Sequence, residues 1–443
     1  MNVALIGRNL SHSISPEMHH AITPYTYDIK ELENESEVIT FLERMKAGGD
    51  ILNINVTVPY KKTVIPYLDN ISETARSCGA VNTIISRGGN LHGFNTDLAG
   101  FIAMLKISEI DVSGKKVLIL GSGGSSKTVA AALGMLGASE IIVISRTGEN
   151  NYLNLDKHFN ADLIINTTPV GMYPNNGAGL YITEDGQLAA LNKSSLPEFP
   201  LERFRKLKAC VDLIYNPSIT PFLLDAEELG IKAINGFQML IAQAIRSRDI
   251  FLDITEDDGE PFDADEFTYI KELADAFEID RAHRHARLRK NEHRKKIAKL
   301  AKRRFIDIDD MIESKTGMKI PEIFSKHGKK AFRDIESECI SEASKESKCV
   351  IAYGGGSPLR KENRRLIRQN STLILLERPI PLLARKKRPL TEKLTEAEMF
   401  RLNRARHPYF RAAADITVFI DGDETVKEST DRILKLPCFE DLI

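Results

Sequence analysis

The chain has 443 residues, 42% hydrophobic and 28% charged, too many for one ordinary core and too apolar for a disordered chain, so about two to four folded domains are expected. Its 61 Lys and Arg nearly cancel 62 Asp and Glu, which argues against a global affinity for nucleic acid or anionic membrane. No apolar run approaches the roughly 20 residues of a membrane span, the opening MNVALIGRNLSHS lacks the stretches of a secretory signal, and five scattered cysteines suit reduced thiols in a cytoplasmic enzyme.

In chain order, short apolar runs alternate with helical patterns: VALIG at 3–7, ILNINVTV at 51–58, VLILG at 117–121, IIVIS at 141–145, DLIINTT at 162–168 and CVDLIYN at 210–216. Strands flanked by helices predict parallel α/β layers. Eight of the fourteen residues in DITEDDGEPFDADE (253–266) are acidic, which predicts a solvated linker followed by a short helix. Residues 281–304 then hold twelve Lys or Arg and three His against one acid. Strand and helix periodicity resumes at FIDID (305–309) and continues through VIAYGGG, LILLE and ITVFID.

The segment KKVLILGSGGSSKTVAAALGMLGASEIIVISRT (115–147) reads as strand, glycine-rich turn, helix and strand. Gly121 permits the tight turn. Gly123 and Gly124, with Ser122 and Ser125 in the same turn, let backbone amides approach a pyrophosphate at a helix N-terminus. Ser126 stands where a third glycine usually packs helix on strand. An NAD site would end the second strand with an acid for the ribose 2′-hydroxyl, whereas this strand ends Ser145, Arg146, Thr147. A guanidinium and two hydroxyls suit a 2′-phosphate, so NADP is the expected cofactor.

GRNLSHSISPEMHH, NVTVPYKK, GAVNTI, GFNTD, YNPSITP and NGFQMLIAQA together resemble shikimate dehydrogenase, over about residues 1–250 and in that family's order. The resemblance implies reversible NADPH-dependent reduction of 3-dehydroshikimate to shikimate in chorismate and aromatic amino acid biosynthesis. It implies a shikimate-binding domain at 1–100 and a Rossmann-like NADP domain at 101–252 whose last helix returns to the first. Lys61 matches the family's catalytic lysine and Asp97 its acidic partner. A lysine beside a carboxylate can carry a proton to a developing alkoxide. Ser13 and Ser15 match carboxylate-binding serines; Thr57, Asn82, Tyr215 and Gln243 match other substrate contacts, and Leu213 and Gly236 match positions near the nicotinamide. Residues 19–33 are shorter than the family's helix and strand there, which puts local packing in question. A homodimer and a shifted specificity toward quinate or NAD stay open.

From about 297 to 437, FIDID, GMKIPEIF, AFRDIE, GGGSP, RPL and ARHPYF resemble shikimate kinase, implying a third domain at 281–443 after a linker and short helix at 253–280. The resemblance puts Asp307 on Mg²⁺, puts Asp309, Arg333, Gly355 and Arg406 on shikimate, and makes Arg388 part of a lid. The first site's product would be the second site's substrate. That family opens with an apolar strand and GxxGxGK[ST], whose amides and lysine cradle the ATP phosphates. Here the place reads DRAHRHARLRKNEHRKKIAK, from which no buried strand is expected, and no glycine occurs between Gly259 and Gly317. As written the kinase-like region is expected to be inactive, or a non-catalytic shikimate-binding module. A nucleic-acid patch fits less well, because no aromatics interleave the basic residues.

Arg284, Arg287, Arg289 and Arg294 occupy the spacing of the four glycines in GxxGxGKxxxG. Arginine codons ending in GG yield GGN when read one base late. Synonymous codons exist that turn residues 281–296 into VLIGMPGSGKTSIGK, a strand with a complete P-loop, which would restore a bifunctional enzyme. We therefore expect the coding nucleotides across codons 281–296, read one base late, to show GGN triplets at those four positions. Sequencing the gene checks this, and their absence refutes the frameshift.

Overall fold

A computed structural model describes the chain except residues 11–12, 24, 147, 174–180, 183–187, 190–198, 256–257, 283–284, 289–290, 301, 347–348, 370, 378–394, 421–424 and 436–443. It divides into two units. The first comprises residues 1–170, 179–215 and 222–274, the second residues 171–178, 216–221 and 275–443.

In the first unit, VALIG and NINV become the strands Asn2–Gly7 and Asn53–Val56 of a six-stranded mixed sheet. Its order is Thr26–Glu31, Asn2–Gly7, Asn53–Val56, Thr83–Arg87, Asn90–Phe94, Asn70–Ile71. Alternation along the strands decides the two faces. Ala4, Ile6, Ile54 and Ile84 pack with Val38, Leu42 and Met45 of the helix Glu35–Lys46. Val3, Leu5 and Ile85 pack on the other side with Tyr25, Tyr27 and Phe251.

The runs VLILG, IIVIS, DLIINTT and CVDLIYN form a second, parallel sheet in the order Glu140–Ile144, Lys116–Leu120, Leu163–Asn166, Ala209–Asp212, Lys232–Ile234. Helices on both faces explain the near-continuous apolar runs. Successive connections leave Lys116–Leu120 in opposite directions, so its carboxyl end is the switch point where a crevice opens. The helix Phe237–Phe251 serves both layers: Met239 belongs to the core of the parallel sheet, Ile250 and Phe251 to that of the mixed sheet. It crosses the helix Thr96–Ile107 closely at Gly100, where a Cβ would lie 2.7 Å from the Met239 carbonyl oxygen.

Most described residues of the acidic stretch 253–266 are exposed, but two are anchored in the first unit. Asp258 and Phe262 are buried, and the Arg246 guanidinium lies 4.4 Å over the Phe262 ring. Burial follows from available partners: Arg246 donates to the Glu260 carbonyl at 3.0 Å, and Asp258 accepts from two first-unit donors. The helix that follows, Ala264–Ala282, has nineteen residues and is not short.

In the second unit, Arg304–Asp307, Cys349–Ala352 and His285–Leu288 form a parallel three-stranded sheet in that order, and Ile374–Glu377 pairs with Ile416–Phe419. Ile308, Ile312, Ile340 and Ile351 centre one core, and Val350, Ile374, Val418 and Ile433 another. A strand forms at His285–Leu288, within the stretch 281–296 from which no buried strand is expected. A ladder needs backbone donors and acceptors more than apolar side chains, and the strand Cys349–Ala352 offers an edge to be paired.

The short segment 19–33 packs soundly. The helix Ser15–Ile22 and strand Thr26–Glu31 bring His19, 1% exposed, into a stack 4.0 Å from the Tyr27 ring, with its Nδ1 2.8 Å from the Tyr25 hydroxyl. Burial, reinforced by the charges of His20 and Arg248, brings the His19 pKa down to about 3. The folded state therefore holds His19 neutral, a contribution complete above the unfolded pKa near 6.5 and lost as pH falls from there toward 3. Denaturant unfolding at stepped pH should show stability declining by up to about 1.4 kcal/mol per pH unit over that range, and less steeply in His19→Gln. An equal slope in the variant refutes this.

Candidate functional site

The turn after the strand Asn53–Val56 carries Lys61, and the first turn of the helix Thr96–Ile107 carries Asp97. The Val81 N–H donates to the Lys61 carbonyl at 2.8 Å, tying the first turn to the segment before the strand Thr83–Arg87. The Lys61 ammonium lies 2.6 Å from Asp97 Oδ2, with the side chains 18% and 9% exposed. Asn82 Nδ2 donates to Asp97 Oδ1 at 3.0 Å and to Thr96 Oγ1 at 2.9 Å, and reaches Gln243 Oε1 at 3.5 Å. Four expected site residues thus converge, one each from the Lys61 turn, the Asn82 segment and the helices Thr96–Ile107 and Phe237–Phe251.

Ser13 and Ser15 form their own pair, hydroxyl to hydroxyl at 3.1 Å, at the start of the helix Ser15–Ile22. Thr57 donates its N–H to the Ile6 carbonyl at 2.9 Å, and its methyl lies against Gly7. Tyr215 is half-buried near Tyr27, whose pKa is raised well above 10, chiefly by burial and further by the phenols of Tyr25 and Tyr215.

Gly121 follows the strand Lys116–Leu120 at φ +101°, and a Cβ there would lie 2.9 Å from the Thr168 methyl, so both conformation and crowding demand glycine. Gly123 precedes the helix Gly124–Met135, which no side chain caps. Amides and dipole at such an end suit an anion. Ser122 is exposed and Ser125 half-buried. Ser126 is buried, as a small packing residue should be. Arg146 is exposed just past the strand Glu140–Ile144. Ser145 is buried with its hydroxyl turned onto Gly148, where a Cβ would meet it at 2.5 Å. Thr147 lies outside the described residues. Leu213 and Gly236 share one wall, since a Cβ on Gly236 would fall 2.1 Å from the Leu213 carbonyl oxygen. These groups fit a phosphorylated dinucleotide: amides for a pyrophosphate and an exposed guanidinium for a third phosphate.

In the second unit, Asp307 ends the strand Arg304–Asp307 and accepts from the Asp309 N–H at 3.0 Å. Arg333, largely buried, pairs with Glu336, whose other oxygen accepts the Ser357 hydroxyl at 2.8 Å. A Cβ on Gly356 would overlap the Arg333 guanidinium, so Arg333 lies on the glycine run that includes Gly355. Asp309 Oδ1 is 3.3 Å from the corresponding position on Gly354. The Arg406 pKa is lowered by burial and then by the Arg333 charge, which brings the two guanidiniums into one neighbourhood. Arg388 lies outside the described residues. Among the described residues no three His, Cys, Asp or Glu side chains are grouped to hold a metal. One carboxylate suits a Mg²⁺ held mainly by phosphates and water.

Lys62, which the motif spacing passes over in favour of Lys61, has its Cε 3.8 Å from a Cβ built on Gly124, beside the glycine turn. Sequence reasoning missed a buried network around Asn82. Ser247 Oγ lies 2.9 Å from Thr83 Oγ1 and 3.0 Å from Thr96 Oγ1, and Asn55 Nδ2 donates to it at 3.0 Å. Ser247 could have been found from its spacing, one helical turn after Gln243.

Residues 5–84 match the family model for the shikimate dehydrogenase substrate binding domain, and residues 290–436 that for shikimate kinase. Over 272 residues the chain is 35% identical to the shikimate dehydrogenase (NADP(+)) of Caldicellulosiruptor bescii, covering 56% of this chain and 88% of that one. The enzyme of the same name from Halothermothrix orenii is 36% identical over 275 residues, covering 55% and 87%. Among solved structures, a chorismate mutase/shikimate 5-dehydrogenase fusion protein from Clostridium acetobutylicum superposes with a TM-score of 0.52 at 33% identity, covering 62% of this chain and 97% of that one. Shikimate dehydrogenase 1 from Peptoclostridium difficile gives 0.50 at 34%, covering 62% and 98%. With the lysine–carboxylate pair and the glycine turn in one unit, and relatives covered over most of their length, the chain belongs to the NADP-dependent shikimate dehydrogenase family, with a shikimate kinase domain following in the same polypeptide.

Proposed function

We propose that the first unit reduces 3-dehydroshikimate reversibly to shikimate, with Lys61 as the proton carrier and Asp97 as the group that orients it. The observation that carries this is the 2.6 Å contact between them, braced by Asn82. NADPH, when bound, supplies the hydride to the carbonyl carbon. The ammonium of Lys61 gives its proton to the oxygen as negative charge develops there, and the adjacent carboxylate keeps it aimed. Asn82 and Gln243 would hold substrate hydroxyls beside the pair. Ser13 and Ser15, Thr57 and Tyr215 would bind the remainder, with the serines on the carboxylate. Arg146 would grip the 2′-phosphate, the amides after Gly121 the pyrophosphate, and Leu213 and Gly236 would wall the nicotinamide. We place the substrate domain at 1–100 and the NADP domain at 101–252, working in the cytoplasm.

We read the second unit, through residue 443, as a shikimate kinase domain without a phosphate cradle. Two facts support this: no glycine lies between Gly259 and Gly317, where the phosphate-cradling loop needs several, and the family match begins only at residue 290. Arg333, Arg406, Asp309 and Gly355 would still bind shikimate.

In NADP-linked shikimate oxidation, Lys61→Met should lower kcat by about 10²- to 10⁴-fold, as loss of a positioned proton carrier does, with KM for NADP little changed. A Lys61→Met enzyme with wild-type kcat sinks the assignment. Adding shikimate to the purified full chain with ATP and Mg²⁺ should release no ADP above background. Sustained shikimate-dependent ATP consumption would overturn the reading of the second unit.

A further inference from the structure

We propose that Asp258 is a positioning residue for the Lys61–Asp97 pair, an inference that rests on reading that pair as the catalytic one. Asp258 lies in the acidic stretch beyond the helix Phe237–Phe251 and is 2% exposed. Its Oδ2 accepts two hydrogen bonds, both 2.6 Å long, from the Ser72 hydroxyl and the Asn95 N–H. Ser72 caps the helix Glu73–Cys78 and Asn95 caps the helix Thr96–Ile107, so one carboxylate ties together the positive ends of two helices.

Asp97 is the second residue of the helix that Asn95 caps. Three amides at its entry are each fixed by a different side chain: Asn95 N–H by Asp258, Thr96 N–H by Asn82 Oδ1 at 2.8 Å, and Leu98 N–H by Asn95 Oδ1 at 3.2 Å. Asn95 Nδ2 also donates to the Ala80 carbonyl at 2.9 Å, and the next residue, Val81, holds the Lys61 carbonyl. Asp258 thereby acts on the one cap that touches both sides of the ion pair. Its own place is secured independently, because the buried Arg246 grips the Glu260 carbonyl and the Phe262 ring. Without Asp258, the Asn95 N–H would sit buried and unmatched, and the entry turn would shift to recover a partner. Displacement of about 1 Å at a reacting group suffices for a hundredfold loss of rate.

The test uses the full chain carrying Asp258→Ala and Asp258→Asn, with Asp97→Asn as control. We expect Asp258→Ala to lower kcat for NADP-linked shikimate oxidation about tenfold or more, with KM for NADP within about twofold. Asp258→Asn keeps an acceptor oxygen at the same place and should recover a substantial part of the loss. Rates are taken per folded molecule, from circular dichroism at the assay temperature, and should Asp258→Ala fail to fold, Asp258→Ser, too short to reach both the Ser72 hydroxyl and the Asn95 N–H, takes its place with the same expected loss. A lowered melting temperature with wild-type kcat per folded molecule in both variants overturns the proposal and leaves the catalytic pair standing. Full activity in Asp97→Asn overturns the reading of the pair itself.

Discussion

An ammonium and a carboxylate held 2.6 Å apart and mostly out of water set the terms for the first unit. Taking both charges from solvent costs several kcal/mol each unless their remaining hydrogen-bonding capacity is met, and a pair with one partner misplaced is worse than none. The surroundings are arranged accordingly. Asn82 serves the second carboxylate oxygen, and its own carbonyl accepts the Thr96 N–H, so the amide cannot flip without losing both. The hydroxyls of Thr83, Thr96 and Ser247, with Asn55 and Tyr27 beyond them, carry that constraint into the mixed sheet. A polar network this deep is favourable only when each member is satisfied, and it then specifies one arrangement.

The parallel sheet supplies the complementary half. Its switch point puts Gly121 at the mouth of a crevice, and the crowding of Thr168 against that glycine shows how closely the backbone is folded there. The cation at the far rim, Arg146, stands free of the core, where a flexible guanidinium can follow a phosphate. Ser145 is turned inward to the Gly148 turn, away from the exposed Arg146.

Much of this was legible in the amino-acid order because the chemistry is local. VLILG followed by GSGG declares a strand and an anion-binding turn, and NVTVPYK and GFNTD carry their donors at fixed offsets from a strand end and a helix cap. Ser247 and Asp258 were not legible. The importance of each comes from partners more than 150 positions away in the chain, and an acidic stretch by composition alone reads as solvated. The strand His285–Leu288 escaped for a different reason: its residues carry no apolar pattern, and the pairing is dictated by the neighbouring strand Cys349–Ala352. Glu336 was visible in AFRDIE, three positions after Arg333, but its value as that arginine's counter-ion required the helix to be seen.

The helix Phe237–Phe251 lends side chains to both cores of the first unit, and Gly100 lets it lie nearly backbone to backbone on its neighbour. Melting of either sheet would strip apolar cover from the other, so thermal disruption of this half of the molecule proceeds as a single cooperative event with no half-melted stage at rest. The same sharing means that neither layer can drift while the other stays put, which keeps the Lys61–Asp97 pair and the glycine turn at Gly121 in step.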